Sequence, residues 1–373
     1  MNHRGVIPVI RSFSLLQKRN QSVVAKALTL KQYVDIGIPT EAHFHLEHHE
    51  FNLQNAVSKL EDGGLVVEVK ALSADPFQRA TIRSDGKHRS SIKIGSPVHG
   101  FTVGKILASK HPNWKEGDLF GAGLPFITHQ SLSPKVLKRT AIWKLTDHVS
   151  EENITYGLGV LGMPGSTAYG GLIDVLRPNK GETIFVSSAS GTVGGLVGML
   201  AKQLYECNVI GSCGGPKKVE LVKKTYGFDN AIDYKKASSA AELSAMLKEF
   251  APKGIDMYFE NVGGIHFESA FKALRPGGRI AICGFISDYN TEHPSPVQFN
   301  PMDMIYTAQR IEGFVCTPWL VGQKGNFLND MSKWLKEGKV KAQEEVFHGI
   351  ENWPHGFQAL FTGNHMGKIV VKL

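Results

Sequence analysis

The stretch from Glu182 to Lys218 carries the residues whose types and spacing could do chemistry. Gly191, Gly194 and Gly198 follow a short apolar, β-branched run, Thr183 to Ser187, and Leu196, Met199 and Leu200 recur among them at helical spacing. A second apolar run begins at Asn208, so the pattern is strand, glycine turn, helix, strand, about 30 residues in all. In such a unit the glycines let backbone N–H groups approach a pyrophosphate, and the helix start supplies partial positive charge. Gly191, Thr192, Val193 and Gly194 are the expected contacts. Glycine turns also serve plain helix–strand packing, so the end of the second strand decides the matter. An NAD site places an acid roughly 20 residues beyond the glycines, to bind the ribose 2′-hydroxyl. Here Val209 to Pro216 contains no acid, and Lys217 and Lys218 follow. A carboxylate would repel a 2′-phosphate, whereas lysine accepts it. The cofactor expected is NADP(H), with Lys218 as the phosphate contact and Lys217 as its rival.

Other reactive side chains are few. His43, His45, His48 and His49, with Glu47 and Glu50, suggest a metal cluster, but their alternation reads as an exposed strand and no cysteine lies nearby. The four cysteines, Cys207, Cys213, Cys283 and Cys316, lack CxxC spacing. That excludes a disulfide framework and a cysteine zinc site, and it fits a reducing compartment. No metal site is expected.

The elements that must position these residues follow from the rest of the chain. A length of 373 residues accommodates two domains, and 42% hydrophobic with 20% charged residues is ordinary globular composition. No apolar run reaches the ~18 residues of a membrane span. Six of the eight net positive charges lie in residues 1–31, leaving +2 for the remainder, so nucleic-acid binding has little support. Residues 1–26 are basic and acid-free, as in an organelle transit peptide, which points to the mitochondrion; a cytosolic extension is the alternative. Residues 27–157 read as short strands punctuated by Gly95, Gly100, Gly104, Gly117, Gly121 and Gly123. Residues 158–314 alternate strand and helix, the mark of a doubly wound parallel sheet. Ligands sit beyond the carboxyl ends of such strands, where Gly191, Asn261 and Gly284 fall. Residues 315–373 add an amphipathic helix, Phe327 to Lys336, and a last strand, Lys368 to Lys372, which return to the first domain.

Several motifs then coincide: Asp75-Pro76-Phe77-Gln78-Arg79, Gly162-Met163-Pro164-Gly165-Ser166-Thr167-Ala168-Tyr169, Phe259-Glu260-Asn261-Val262-Gly263-Gly264, the run from Ala281 to Asn290, and Gly363-Asn364-His365-Met366-Gly367-Lys368. With the glycine turn, the chain resembles a medium-chain dehydrogenase/reductase, and within that superfamily the zinc-free prostaglandin reductase and alkenal double-bond reductase group. The resemblance runs from about Leu28 to the end. It implies a Rossmann domain inserted in a β-rich, GroES-like catalytic domain, an active site between the two, and a homodimer. The zinc enzymes of the superfamily use an early cysteine and a four-cysteine lobe, whereas the first cysteine here is Cys207. A conjugated alkene is then the easier hydride acceptor than a carbonyl awaiting a Lewis acid. The reaction implied is reduction of an apolar α,β-unsaturated aldehyde or ketone, with hydride going to the β-carbon. Tyr289 is the candidate donor to the developing enolate.

The resemblance also assigns Tyr234 to the adenosine phosphate, Asn261 to the nicotinamide ribose, and Gly165, Thr167, Cys283, Gly284 and Asn364 to cofactor-lining segments. For Asp75, Phe77 and Arg79 it implies support of the cleft. Phe77-Gln78 departs from the usual Tyr-Met. Two other readings stand beside this one: a zeta-crystallin-type NADPH:quinone reductase, and an NADPH-binding adaptor without catalysis. Phe285, Phe299 and Phe314 either line an apolar substrate site or pack as core.

Overall fold

The computed structural model describes residues 22–86, 91–293 and 296–373. The transit-peptide expectation for residues 1–26 therefore falls almost wholly outside the described residues.

Six parallel strands form the sheet that carries the glycine turn: β1 (Thr183–Val186), β2 (Asn208–Cys213), β3 (Asn230–Asp233), β4 (Ile255–Glu260), β5 (Leu274–Ile282) and β6 (Arg310–Gly313). Their order is β3-β2-β1-β4-β5-β6, so the succession of strands changes direction across the β1/β4 boundary. That boundary is the switch point at which open α/β sheets bind ligands. Ile184, Phe185 and Val186 of β1 are wholly buried, because helices cover both faces of a parallel sheet. On one face pack Leu196, Val197 and Leu200 of the helix Thr192–Tyr205; on the other, Leu243, Leu247, Phe267 and Phe271.

The remaining strands form a mostly antiparallel, seven-stranded sheet plus a two-stranded ribbon, Ser22–Leu30 against Phe44–Asn52. The seven-stranded sheet joins both ends of the chain. The terminal strand Lys368–Lys372 pairs parallel with Glu344–His348 and antiparallel with Leu65–Ser73. Beneath it, Trp353 is fully buried among Phe44, Phe126 and Phe357, and its indole N–H donates to the Ser73 carbonyl at 2.9 Å. The two sheets meet where Gly367 bridges Gly191 and donates its N–H to the Ser190 carbonyl at 3.1 Å. The histidine-rich segment forms an exposed strand, as its alternation suggests. No helix among the described residues is long and apolar enough to cross a membrane.

Candidate active site

The turn after β1 is tight. Ser188 takes the left-handed conformation, with φ of 52°, and the Gly191 N–H closes back onto the Ser188 carbonyl at 2.9 Å. Gly191 then enters the helix Thr192–Tyr205 in extended backbone, and no side chain caps the helix start. The first-turn amides of Thr192 and Val193 thus stand at an uncapped, positively polarised end, which is what a pyrophosphate needs. Gly194 and Gly198 serve packing. A Cβ on Gly194 would lie 2.4 Å from the Ser188 carbonyl, and one on Gly198 would enter the Phe228 ring. These two let the helix lie close to its turn and to its neighbour; a Cβ on Gly191 would meet only Ser188, at 3.1 Å from its hydroxyl.

At the end of β2 the chain turns through Gly214 and Gly215, the latter at φ of 92°. The nearby acid, Asp233, is tied to the backbone of this turn: its Oδ1 accepts from the Gly215 N–H at 2.8 Å and the Lys235 N–H at 3.3 Å. Lys218 is half-buried, and Lys217 is exposed. The Lys218 Nζ donates to the Gly363 carbonyl at 2.8 Å, and burial draws its pKa below the usual lysine value, with Lys235 adding repulsion. A Cβ built on Gly214 would meet the Lys235 Cε at 3.0 Å and the Tyr234 hydroxyl at 3.4 Å. Tyr234 leans edge-on against His266, 5.0 Å between rings, and His266 Nε2 is hydrogen-bonded to the buried Ser212 hydroxyl at 2.9 Å. Burial lowers the His266 pKa to about 4, so it is neutral. Tyr234 and Lys235 therefore border Gly214 at the strand end, and Lys218, tied to Gly363, lies within electrostatic range of Lys235. Lys235 escaped sequence reasoning, although its adjacency to Tyr234 was the available signal.

Asn261, Cys283, Gly284 and Tyr289 come together at the ends of β4 and β5. The Asn261 side chain donates to the Ser187 carbonyl at 2.7 Å and accepts from the Cys283 thiol at 3.0 Å. Behind it the wholly buried Glu260 accepts from the Ser187 hydroxyl at 3.1 Å and from the amides of Val262 and Gly263 at 2.6 and 3.0 Å. Burial raises the Glu260 and Cys283 pKa values, so the thiol is no nucleophile at neutral pH. A Cβ on Gly284 would lie 3.4 Å from the Asn261 carbonyl and 3.5 Å from the Tyr289 hydroxyl. The phenol thus reaches the switch point of the sheet.

Other expected residues lie differently. Gly165 and Thr167 are buried on the helix Met163–Gly170, where Thr167 donates to the Met163 carbonyl at 2.8 Å and a Cβ on Gly165 would strike the Val160 carbonyl. Asn364 is exposed; the adjoining His365 turns inward, bonded at Nδ1 to the Ala359 carbonyl at 3.0 Å and lowered to about 4 by burial and by Lys218. Asp75 is buried in an ion pair with Lys368 at 2.7 Å, and Phe77 leans on Phe101, which leans on Trp143. Phe285 and Phe299 pack on Phe267, and Phe314 on Phe259 and Trp319. All three belong to the packing of the parallel sheet. Among the described residues no three His, Cys, Asp or Glu side chains stand together as a metal would require.

Comparison with known proteins agrees with this geometry. Residues 26–139 match a family profile described as the N-terminal domain of oxidoreductase, and residues 192–334 one described as zinc-binding dehydrogenase. The chain is 38% identical to the NADP(+)-dependent 2-alkenal reductase of Nicotiana tabacum, across 94% of this chain and 98% of that one. It is 36% identical to prostaglandin reductase 1 of Sus scrofa, across 94% and 99%, and 33% identical to the NADPH-dependent curcumin reductase of Escherichia coli, across 90% and 94%. The crystal structure of CurA in complex with NADPH from Vibrio vulnificus superposes with a TM-score of 0.80 at 31% identity, across 93% of this chain and 98% of that one.

Proposed function

Because this chain belongs to the medium-chain dehydrogenase/reductase family, alongside its alkenal and prostaglandin reductases, we propose that it reduces the carbon–carbon double bond of apolar α,β-unsaturated aldehydes and ketones. It is an NADP-dependent oxidoreductase. The residues present fit that cofactor: an uncapped helix start at Thr192 for the pyrophosphate, and a strand end flanked by Lys218 and Lys235, where the one acid, Asp233, is engaged by backbone amides. When bound, NADPH supplies a hydride to the β-carbon of the alkene.

The observation that carries the proposal is the Tyr289 hydroxyl beside Gly284 and Asn261, at the strand ends where the reacting end of the cofactor belongs. Hydride addition at the β-carbon shifts negative charge to the substrate carbonyl oxygen. In the proposed reaction Tyr289 donates a hydrogen bond to that oxygen as the charge grows. Asn261, held at both ends of its amide, keeps the ribose side of the site in place.

The test follows NADPH oxidation with 4-hydroxynonenal, a 15-oxo-prostaglandin and a small quinone side by side, with NADH as control. Turnover of the enal or enone, with strong preference for NADPH, is the expected result. Turnover of the quinone alone overturns the substrate class, and NADPH binding without any turnover leaves the adaptor reading in its place. Tyr289→Phe lowers kcat for the enone by about a hundred- to a thousand-fold, the loss typical of one donor to a developing oxyanion. Unchanged kcat removes Tyr289 from the mechanism.

A further inference from the structure

Tyr289 belongs by sequence to the half of the molecule built on the parallel sheet, but its loop is fastened to the other half. Asn290 Oδ1 accepts from Arg79 Nε at 2.9 Å, and the Asn290 carbonyl accepts from the Gly37 N–H at 3.0 Å. One residue further, the Thr291 carbonyl accepts from Arg83 Nη1 at 3.0 Å. Three hydrogen bonds thus cross from residues 37–83 to residues 290 and 291.

Arg79 is the centre of this fastening. Its side chain is wholly buried, and its remaining donors go to the Val34 carbonyl at 2.5 Å and the Gly37 carbonyl at 3.1 Å. Burial lowers its pKa to about 10, which leaves the guanidinium charged at neutral pH. Burying a charge is costly, and the groups bonded to it are neutral oxygens rather than a carboxylate. Asp35, whose charge lies in range of Arg79, accepts from the Ser84 N–H and hydroxyl at 2.7 and 2.9 Å. A guanidinium offers its donors in a rigid plane, so the two carbonyls and the Asn290 amide oxygen are locked in one relative geometry. A lysine could not hold all three.

We infer that Arg79 is a positioning residue of the active site, which sets the Tyr289 hydroxyl over the cleft through its hydrogen bond to Asn290. The inference rests on the role proposed for Tyr289. The Tyr289 loop is then tied to both halves, since the Ile286 and Ser287 N–H groups donate to the Asn261 and Val262 carbonyls at 3.3 and 3.0 Å while Arg79 holds Asn290. The bonds from both halves together set the Tyr289 hydroxyl in register with the cofactor side of the cleft. Arg79 acts through another residue and does not itself touch the substrate.

The test removes the acceptor and leaves Arg79 in place. Asn290→Leu keeps similar bulk without the amide oxygen, and Asn290→Asp keeps an oxygen facing the guanidinium. Steady-state kinetics with the best enone substrate and NADPH titration by fluorescence are measured for each, alone and combined with Tyr289→Phe. Asn290→Leu lowers kcat about ten-fold, as expected when a donor is displaced by a fraction of an ångström to an ångström, and leaves NADPH affinity within about two-fold. Asn290→Asp restores most of the lost kcat. In the Tyr289→Phe background, Asn290→Leu has no further effect, because the group it positions is gone. Equal losses in both backgrounds, or no loss in either, overturn the inference while the role of Tyr289 stands. A Tyr289→Phe enzyme with unchanged kcat overturns both. Should Asn290→Leu fail to fold, Asn290→Ala makes the same deletion without the added apolar bulk.

Discussion

Lys218 and Lys235 come from two different elements to within electrostatic range of each other, and we propose that this pair of charges selects NADPH over NADH. Lys218 comes from the helix start after β2, held by the Gly363 carbonyl; Lys235 comes from the turn after β3, its backbone held by Asp233. Lysine has three donors, so Lys218 can keep Gly363 and still bond a phosphate oxygen. Lys218→Met is expected to raise the KM for NADPH by about ten- to a hundred-fold, the worth of one charge-assisted hydrogen bond, while the KM for NADH changes little. Lys235→Met, at the more exposed position, follows the same pattern with a smaller rise. Equal effects on both cofactors would assign the lysines to folding instead. Lys218 could be nominated from the sequence, with Lys217 as its rival, because both halves of the signal are local: no acid at the strand end, and a lysine soon after. Lys235 and His365 were not, since they reach the site through turns whose direction depends on long-range contacts. Asn364 and His365 differ by one position in a loop; only the bond from His365 to Ala359 decides which of them points inward.

At the scale of elements, the buried ion pair of Asp75 and Lys368 fastens the loop after the strand Leu65–Ser73 to the strand that ends the chain. Lys368 also donates to the Ala74 carbonyl at 2.8 Å, and Asp75 accepts from the Ser73 hydroxyl as well. Both charges are almost wholly buried, so removing one partner leaves the other without compensation. Asp75→Ala is expected to destabilise the protein by about 3–5 kcal/mol, read from urea unfolding. Asp75→Asn, which keeps an acceptor, costs less. A loss below about 1 kcal/mol for the alanine variant would show that water reaches Lys368 and replaces the pair. The alternation of strand and helix was readable from periodicity, and Phe327–Lys336 and Lys368–Lys372 lie at the residues expected. Periodicity does not say which apolar face meets a ligand. Phe285 and Phe299 are therefore ambiguous as sequence; both lean on Phe267, Phe285 partly buried at the edge of the core and Phe299 at the surface.

For the whole molecule, the parallel sheet ends at β6, and its outer edge has no partner strand among the described residues. An open strand edge invites pairing with another chain unless it is covered or charged. Around this edge the chain exposes large apolar side chains: Ile305 at 70%, Tyr306 at 81% and Val315 at 71%. Such a cluster is costly to leave in water, and an edge bordered by apolar groups suits a second copy related by a two-fold axis. The homodimer expected from the family is accordingly our proposal for what covers it. Light scattering behind a sizing column should then give twice the chain mass at micromolar concentration. The pair Ile305→Glu and Tyr306→Glu should weaken the dimer by a hundred-fold or more, since burying each apolar side chain is worth about 1.5–3 kcal/mol. Tyr289 and Lys218 lie on other loops of the sheet, so monomers of this variant should keep NADPH binding. A wild-type chain that runs as a monomer, or a variant that dimerises as tightly as the parent, removes this edge as the interface.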